Sequence, residues 1–131
     1  MTRFVVDAGA VLQLAKEERE IPNRHALLAP SLLRSQALSR LHEAVHGGKL
    51  SPDAARERLR YVNRLQIRLL GDAVLRRRAW EIADALGWPS TYDAEYVALT
   101  QLQADAFVTL DKKLARAVKG LVELAPIDAL R

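Results

Sequence analysis

The sequence contains no cysteine and no long apolar run. The lack of Cys excludes a disulfide framework, a thiolate metal site and a cysteine nucleophile. No apolar run approaches the ~20 residues of a membrane-spanning helix, and Asp7 ends the first run too early for a signal peptide. With 131 residues, 50% of them hydrophobic, the chain has the size and composition of one folded domain. We therefore expect a soluble, cytoplasmic protein with a single domain over residues 1–131.

Positive charge is concentrated in one part of the chain. The net charge is +4, and residues 56–78 carry eight Arg against two acidic residues, whereas the remainder has 12 basic and 14 acidic residues. Clustered Arg attracts phosphate through its charge and through bidentate hydrogen bonds. We therefore expect this basic band, with Arg60 and Arg64, to bind a polyanion such as RNA. The alternative is a solvated helix face in which Arg is present for its helix propensity.

Short apolar runs alternate with amphipathic segments along the chain. The runs predict strands at residues 4–6, 27–28, 67–70 and 106–110, and an edge strand at 121–124. Helices are predicted at 8–16, from an N-cap at Ser31 through Val45, from 52 to 62 or 64, from Asp72 to Gly87, at 92–102 and at 113–118. The helical spacing predicts that Leu38 and Val74 face the core. This alternation implies an α/β fold, a three-layer α/β/α sandwich with a short, mainly parallel sheet.

Three aspartates are predicted to meet at one edge of this sheet, where ligands bind in such folds. Asp7 and Asp111 each follow a predicted strand, and Asp93 lies in the first turn of a helix that starts from the same edge. Each aspartate alone also fits a helix N-terminus, where the helix dipole stabilises a carboxylate. Three converging carboxylates repel one another unless a cation neutralises them, and oxygen ligands favour Mg²⁺ or Mn²⁺. A cation held beside a basic band is suited to phosphodiester hydrolysis.

The sequence around these aspartates forms three motifs. They are Val5-Val6-Asp7-Ala8, Thr91-Tyr92-Asp93-Ala94-Glu95-Tyr96-Val97-Ala98-Leu99, and Val108-Thr109-Leu110-Asp111 with Leu114. In these motifs the chain resembles PIN-domain proteins, and more closely the VapC-type ribonuclease toxins of toxin–antitoxin pairs, over nearly its whole length. The resemblance implies a PIN-like fold and a Mg²⁺- or Mn²⁺-dependent endoribonuclease with Asp7, Asp93 and Asp111 as catalytic metal ligands. It also implies that Thr109 orients a ligand or water, that the chain forms a homodimer, and that a small antitoxin inhibits it.

The chain departs from the family pattern at Gln36. The family usually has an acid, commonly Glu, at this place early in the helix after the second strand. A Gln side chain can offer a carbonyl oxygen to a metal ion or to water but brings no charge, so we expect weaker metal binding. The alternative function is therefore a catalytically weakened PIN-like module that binds RNA or a protein. Near the acids, Lys112 directly follows Asp111 and is expected to contact a substrate phosphate.

A competing motif lies at residues 42–46. His42-Glu43-Ala44-Val45-His46 matches H-E-x-x-H, in which two His on one helix face bind zinc and the Glu activates water. Gly47 and Gly48 break the helix directly afterwards, and no third ligand is evident. His at a helix C-terminus is also stabilised by the helix dipole without any metal. A zinc protease is therefore the third hypothesis.

Overall fold

Strands and helices alternate along the chain because short apolar runs separate segments of helical periodicity. A computed structural model describes all 131 residues. Its elements are β1 (Thr2–Val6), α1 (Ala8–Lys16), β2 (His25–Pro30), α2 (Leu33–His46), α3 (Pro52–Arg64), β3 (Ile67–Leu70), α4 (Ala73–Leu86), α5 (Tyr92–Gln103), β4 (Ala106–Val108), α6 (Lys112–Val118) and a 3₁₀ turn (Ile127–Leu130). None of the helices has both the length and the apolar character that a membrane span requires.

The four strands form one parallel sheet in the order β3-β2-β1-β4. Phe4 of β1 lies between Leu27 of β2 and Ala106 of β4. The helices form two groups. In the first, α1 packs with α2 and α3; in the second, α5 packs with α4 and against β1, β2 and β4. The chain crosses from one edge strand to the other between β3 and β4, so right-handed crossovers place these two groups of helices on opposite faces. The predicted three-layer sandwich is confirmed.

The core is one cluster of 30 buried residues drawn from the sheet and from the helices packed against it. Val5, Val6, Phe107 and Val108 are fully buried, as expected for parallel strands that helices cover on both faces. Helix α5 is also buried from Tyr96 to Thr100. The hydroxyl of Thr100 donates to the Tyr96 carbonyl within this helix at 2.8 Å, so its burial leaves no unpaired polar group.

Several predicted boundaries and orientations are wrong. Ser31 does not cap α2, which begins after Leu32 without a side-chain cap. Leu38 and Val74 are 53% and 50% exposed. Each lies one residue from a buried position, which rotates it about 100° around its helix and out of a narrow contact stripe.

Strand β4 is shorter than predicted because the chain leaves the sheet at Thr109. The hydroxyl of Thr109 donates to the Asp7 carboxylate, which follows β1, and accepts from the Asp111 N–H. Helix α6 then begins at Lys112. The predicted edge strand at 121–124 is reduced to two isolated bridges, one between Lys119 and Val122 and one between Phe107 and Leu124. Two backbone hydrogen bonds to Phe107 flank the second bridge.

Candidate active site

Asp7 lies where β1 ends and α1 begins. Its Oδ1 atom accepts a hydrogen bond from the Ala10 N–H at 2.9 Å and caps α1, and its Oδ2 atom accepts the hydroxyl proton of Thr109. Each carboxylate oxygen has two lone pairs, so both oxygens can still accept a further contact. The junction of strand and helix therefore fixes Asp7 in place without using up its capacity as a ligand.

Thr109 joins two of the predicted aspartates. Besides donating to Asp7, its hydroxyl oxygen accepts the Asp111 N–H at 3.1 Å. Asp111 in turn caps α6 by accepting the Leu114 N–H at 3.0 Å. Because β1 and β4 are neighbouring parallel strands, their carboxyl ends bring Asp7 and Asp111 to the same edge of the sheet.

All three predicted aspartates line one cavity of about 260 Å³ at this edge. Asp93 reaches it from the first turn of α5, and Gln36 and Arg40 reach it from α2. The cavity adjoins a larger one of about 420 Å³, whose walls include Gln36, Asp93, Asp111 and Lys113. The carboxyl edge of the sheet is therefore an open, largely acidic groove.

The aspartates influence each other electrostatically. Burial is the main cause that raises the pKa of Asp7, and the charge of Asp93 raises it further, whereas the Thr109 and Ala10 hydrogen bonds and Arg40 lower it. Burial and then the charge of Asp111 raise the pKa of Asp93, which Arg40 lowers. The carboxylates thus lie close enough to disfavour one another's charge, the situation that a bound cation relieves.

The three carboxylates do not yet converge on one point. No group of three His, Asp or Glu side chains stands close enough to hold a metal ion in the present arrangement. Asp7 and Asp111 are each fixed at the start of a helix by a capping bond. Asp93, by contrast, caps no helix and makes no side-chain hydrogen bond, so its carboxylate is the least constrained of the three. In donor chemistry the set fits a hard divalent cation, since it offers carboxylate oxygens without sulfur.

Two residues that line the cavity, Tyr96 and Arg40, were not among the predicted site residues. The hydroxyl of the buried Tyr96 donates to Oε1 of Gln36 at 2.6 Å. The oxygen that we expected to face a metal or water is therefore directed at α5. Arg40, one turn after Gln36, also lines the cavity. The (i, i+4) spacing puts Gln36 and Arg40 on one face of α2, and together with the expected place of Gln36 near the acids it could have revealed Arg40.

The predicted RNA-binding residues lie in different places. Lys112 is exposed at the start of α6, next to Asp111. By contrast, Arg64 lines a cavity with Met1 and His25, at the amino ends of β1 and β2. Arg60 lines another with residues at the end of α1. The structure does not bring Arg60 and Arg64 together with the acids, and RNA binding by them stays a prediction.

The H-E-x-x-H motif forms the exposed end of α2. His42, Glu43 and His46 are all exposed, and the structure supplies no third ligand to them. Asp53, the nearest acid along the chain, pairs instead with Arg56. The motif therefore lacks the coordination that a zinc protease needs.

Two solved structures share this architecture. The crystal structure of PAE2754 from Pyrobaculum aerophilum superposes with a TM-score of 0.72 at 23% identity, covering 98% of this chain and 93% of that one. The structure of VapBC-1 from nontypeable Haemophilus influenzae gives a TM-score of 0.60 at 14% identity, covering 97% and 99%. At these identities the likeness concerns the fold, and it confirms the PIN-like architecture that the motifs implied.

Sequence comparison gives a closer relationship. No model of a protein family matches the chain. VapC ribonuclease Mb0985 from Mycobacterium bovis and ribonuclease VapC9 from Mycobacterium tuberculosis are each 32% identical to it over 115 residues. The match covers 86% of this chain and 88% of each relative. This identity over most of both sequences shows that the chain belongs to the VapC ribonuclease family.

Proposed function

We propose that this protein is a metal-dependent endoribonuclease, the toxin of a VapBC-type toxin–antitoxin pair, with its catalytic centre at Asp7, Asp93 and Asp111. The observation that carries the proposal is the single cavity at the carboxyl edge of the sheet that these three aspartates share. Its acidic lining suits a divalent cation. The ribonuclease names of the relatives and the VapBC neighbour support the same function.

The three aspartates would hold Mg²⁺ or Mn²⁺, which when bound neutralises charge on the phosphodiester and activates water. Thr109 contributes by orientation, because its hydroxyl holds Asp7 through one hydrogen bond and the Asp111 backbone through another. Asp93 is the aspartate of the three that caps no helix, so its side chain would reorient toward the cation. Two aspartates are thus preorganised and the third completes the set.

RNA would approach through the open groove beside Asp111. Lys112 and Lys113 begin α6 there, and Lys113 lines the larger cavity. Both can attract a phosphate beside the one that is cleaved. Arg60 and Arg64, at the opposite edge of the sheet, would contact only RNA long enough to extend past the groove.

The proposed partners are a second copy of the chain and a small antitoxin. Both follow from membership of the family rather than from contacts within this chain. An exposed aromatic residue is available to either partner, because Trp80 on α4 is 70% exposed. Large aromatic side chains left in solvent are typical of surfaces that a partner covers.

A second function is favoured by one specific feature of the cavity. The position at which the family has an acid holds Gln36, whose oxygen bonds Tyr96, and the carboxylates stand apart. Both observations favour a PIN-like module that binds RNA or a protein with little catalysis.

Incubating purified protein with RNA in Mg²⁺, in Mn²⁺ and in EDTA separates the two functions. We expect cleavage with either metal and none in EDTA. RNA binding without cleavage in any condition would favour the binding module, and neither binding nor cleavage would contradict both.

A further inference from the structure

We propose that α2 forms a phosphate-binding wall of the cavity, in which Arg40 and the amide N–H₂ group of Gln36 hold a non-bridging oxygen of the RNA phosphate. The proposal rests on the proposed function and names the residues that bind the substrate at that site. It assigns position 36 to the substrate, whereas the family pattern has an acid there.

The orientation of Gln36 is set by Tyr96. The Tyr96 hydroxyl donates its proton to Oε1, so the oxygen of the amide faces the core. Tyr96 is only 1% exposed and its ring stacks on Phe107 at 6.3 Å, so this donor is firmly placed. Nε2 of Gln36 donates to no protein group. It is not buried without a partner, since His25 Nδ1 is the one such side-chain atom, and Gln36 lines the cavity. Its two N–H donors are therefore available to the cavity, and such donors bind anions rather than cations.

Arg40 completes the wall one turn further along α2. Its guanidinium lies against the first turn of α1, where a Cβ atom added to Gly9 would be 3.1 Å from Nη1 and 3.7 Å from Asp7 Oδ1. Although it lines an acidic cavity, Arg40 forms no ion pair with any carboxylate within 4.0 Å. Its donors are thus uncommitted, and their planar fork matches two oxygens of a phosphate.

The α2 wall and the three aspartates of the cavity have opposite chemistry. A phosphodiester is an anion and would be repelled by three carboxylates, even with a single divalent cation between them. The α2 wall supplies a permanent positive charge and neutral donors beside these carboxylates. An acid at position 36 would remove the donors and add a fourth negative charge. The departure from the family pattern therefore favours the substrate at the expense of the cation.

The test measures RNA and metal separately in the same variants. The RNA probe is a fluorescently labelled hairpin in EDTA, and the metal probe is Mn²⁺ in a calorimeter. The variants are Arg40→Gln and Gln36→Glu. The matched control is Arg34→Gln, which removes the same charge from an exposed residue of α2 outside the cavity.

We expect opposite effects on the two ligands. Relative to Arg34→Gln, Arg40→Gln should weaken RNA binding about tenfold, because a charged hydrogen-bond partner of the phosphate is lost. The same variant should bind Mn²⁺ about threefold or more tightly, since a cation near the carboxylates is removed. Gln36→Glu should likewise weaken RNA binding and strengthen Mn²⁺ binding, and its metal-free form should melt at a lower temperature.

The outcomes separate this proposal from the proposed function. If wild-type protein binds and cleaves RNA but both variants bind it as tightly as Arg34→Gln, the phosphate wall is wrong and the nuclease stands. If both variants lose RNA and Mn²⁺ binding together, α2 has only a structural role and the proposal is again wrong. A wild-type protein that neither binds nor cleaves RNA would contradict the proposed function as well.

Discussion

The polar groups at the two edges of the sheet differ in how far they are paired with one another. At the amino edge, Arg19 bonds to Glu17 at 2.6 Å, to Asp128 at 3.2 Å and to the Ile127 carbonyl at 3.1 Å. The Tyr61 hydroxyl donates to the Arg19 carbonyl and ties α3 to this cluster. Within this Arg19 cluster, opposite charges and donors are paired, as in polar networks that serve stability.

At the carboxyl edge, part of the charge faces a cavity without a partner, although Asp7 and Asp111 each accept hydrogen bonds. Asp93 has no hydrogen-bond partner, Arg40 has no ion pair, and the neighbouring carboxylates disfavour one another's charge. A fold does not gain stability from such an arrangement. Unpaired charges with shifted pKa values in a cleft are typical of a site that a ligand completes. The comparison therefore supports the proposal that the carboxyl edge is the active site and that the cluster at the amino edge serves stability.

The largest expected effect comes from removing one carboxylate at the carboxyl edge. Asp93→Asn should reduce metal-dependent RNA cleavage by at least about 100-fold, because one charged ligand of the cation is lost. The fold should be as stable as the wild type or more stable, since one of the repelling carboxylates is gone. Cleavage of total RNA in Mg²⁺ or Mn²⁺ and thermal melting in EDTA measure both effects. Asp84→Asn, on the exposed surface of α4, is the matched control. Cleavage by Asp93→Asn at the level of this control would refute the catalytic assignment.

The basic band tests whether substrate reaches from one edge to the other. Reversing charge at Arg60 and Arg64 together should weaken binding of a 20-nucleotide RNA about tenfold, with a shallower dependence on salt. A tetranucleotide bound in the groove alone should bind the variant and the wild type equally. Both side chains are exposed, so the melting temperature should change little. Equal binding of the longer RNA would show that the band serves another purpose.

A substitution at the amino edge should change the stability of the protein without changing RNA cleavage. Tyr61→Phe removes the hydrogen bond to the Arg19 carbonyl and should lower the free energy of unfolding by about 1 kcal/mol. This corresponds to about 4 °C in melting temperature. Cleavage per folded molecule should match the wild type. A variant that keeps its stability but loses cleavage would contradict the division between the two edges.

The smallest effect is a pH dependence that arises at the carboxyl edge. The pKa of Asp93 in the metal-free fold is raised above the ordinary value of 3.8. A raised acid pKa favours folding at low pH, and this contribution is lost as the pH rises from about 4 through the raised value. In EDTA, Asp93→Asn should therefore gain about 2 °C in melting temperature over the wild type between pH 4 and pH 7. A constant difference across this range would show that burial and the charge of Asp111 do not destabilise the Asp93 carboxylate.

The aspartates could be predicted from the sequence because simple rules place them. Parallel strands end at one edge of a sheet, so residues that follow β1 and β4 meet there whatever their side-chain rotamers. The capping positions of Asp7, Asp72 and Asp111 follow in the same way from the starts of helices. These features depend only on local patterns and on strand order.

The contents of the α2 wall could not be predicted in this way. The contact between Tyr96 and Gln36 joins residues 60 positions apart, and it depends on how α2 and α5 pass over the end of the sheet. Helical spacing gives the shared face of Gln36 and Arg40 but not what lies opposite it. The positions of the carboxylate groups likewise depend on side-chain rotamers, which no residue pattern specifies.

Calorimetric titration of Mn²⁺ tests the central claim, that the aspartates of the carboxyl edge hold a divalent cation, most directly. Wild-type protein and Asp84→Asn should each bind Mn²⁺ at the site with equal affinity, and Asp93→Asn should bind it at least about tenfold more weakly because it lacks one charged ligand. Equal Mn²⁺ affinity in all three proteins, or no binding by the wild type, would contradict the claim.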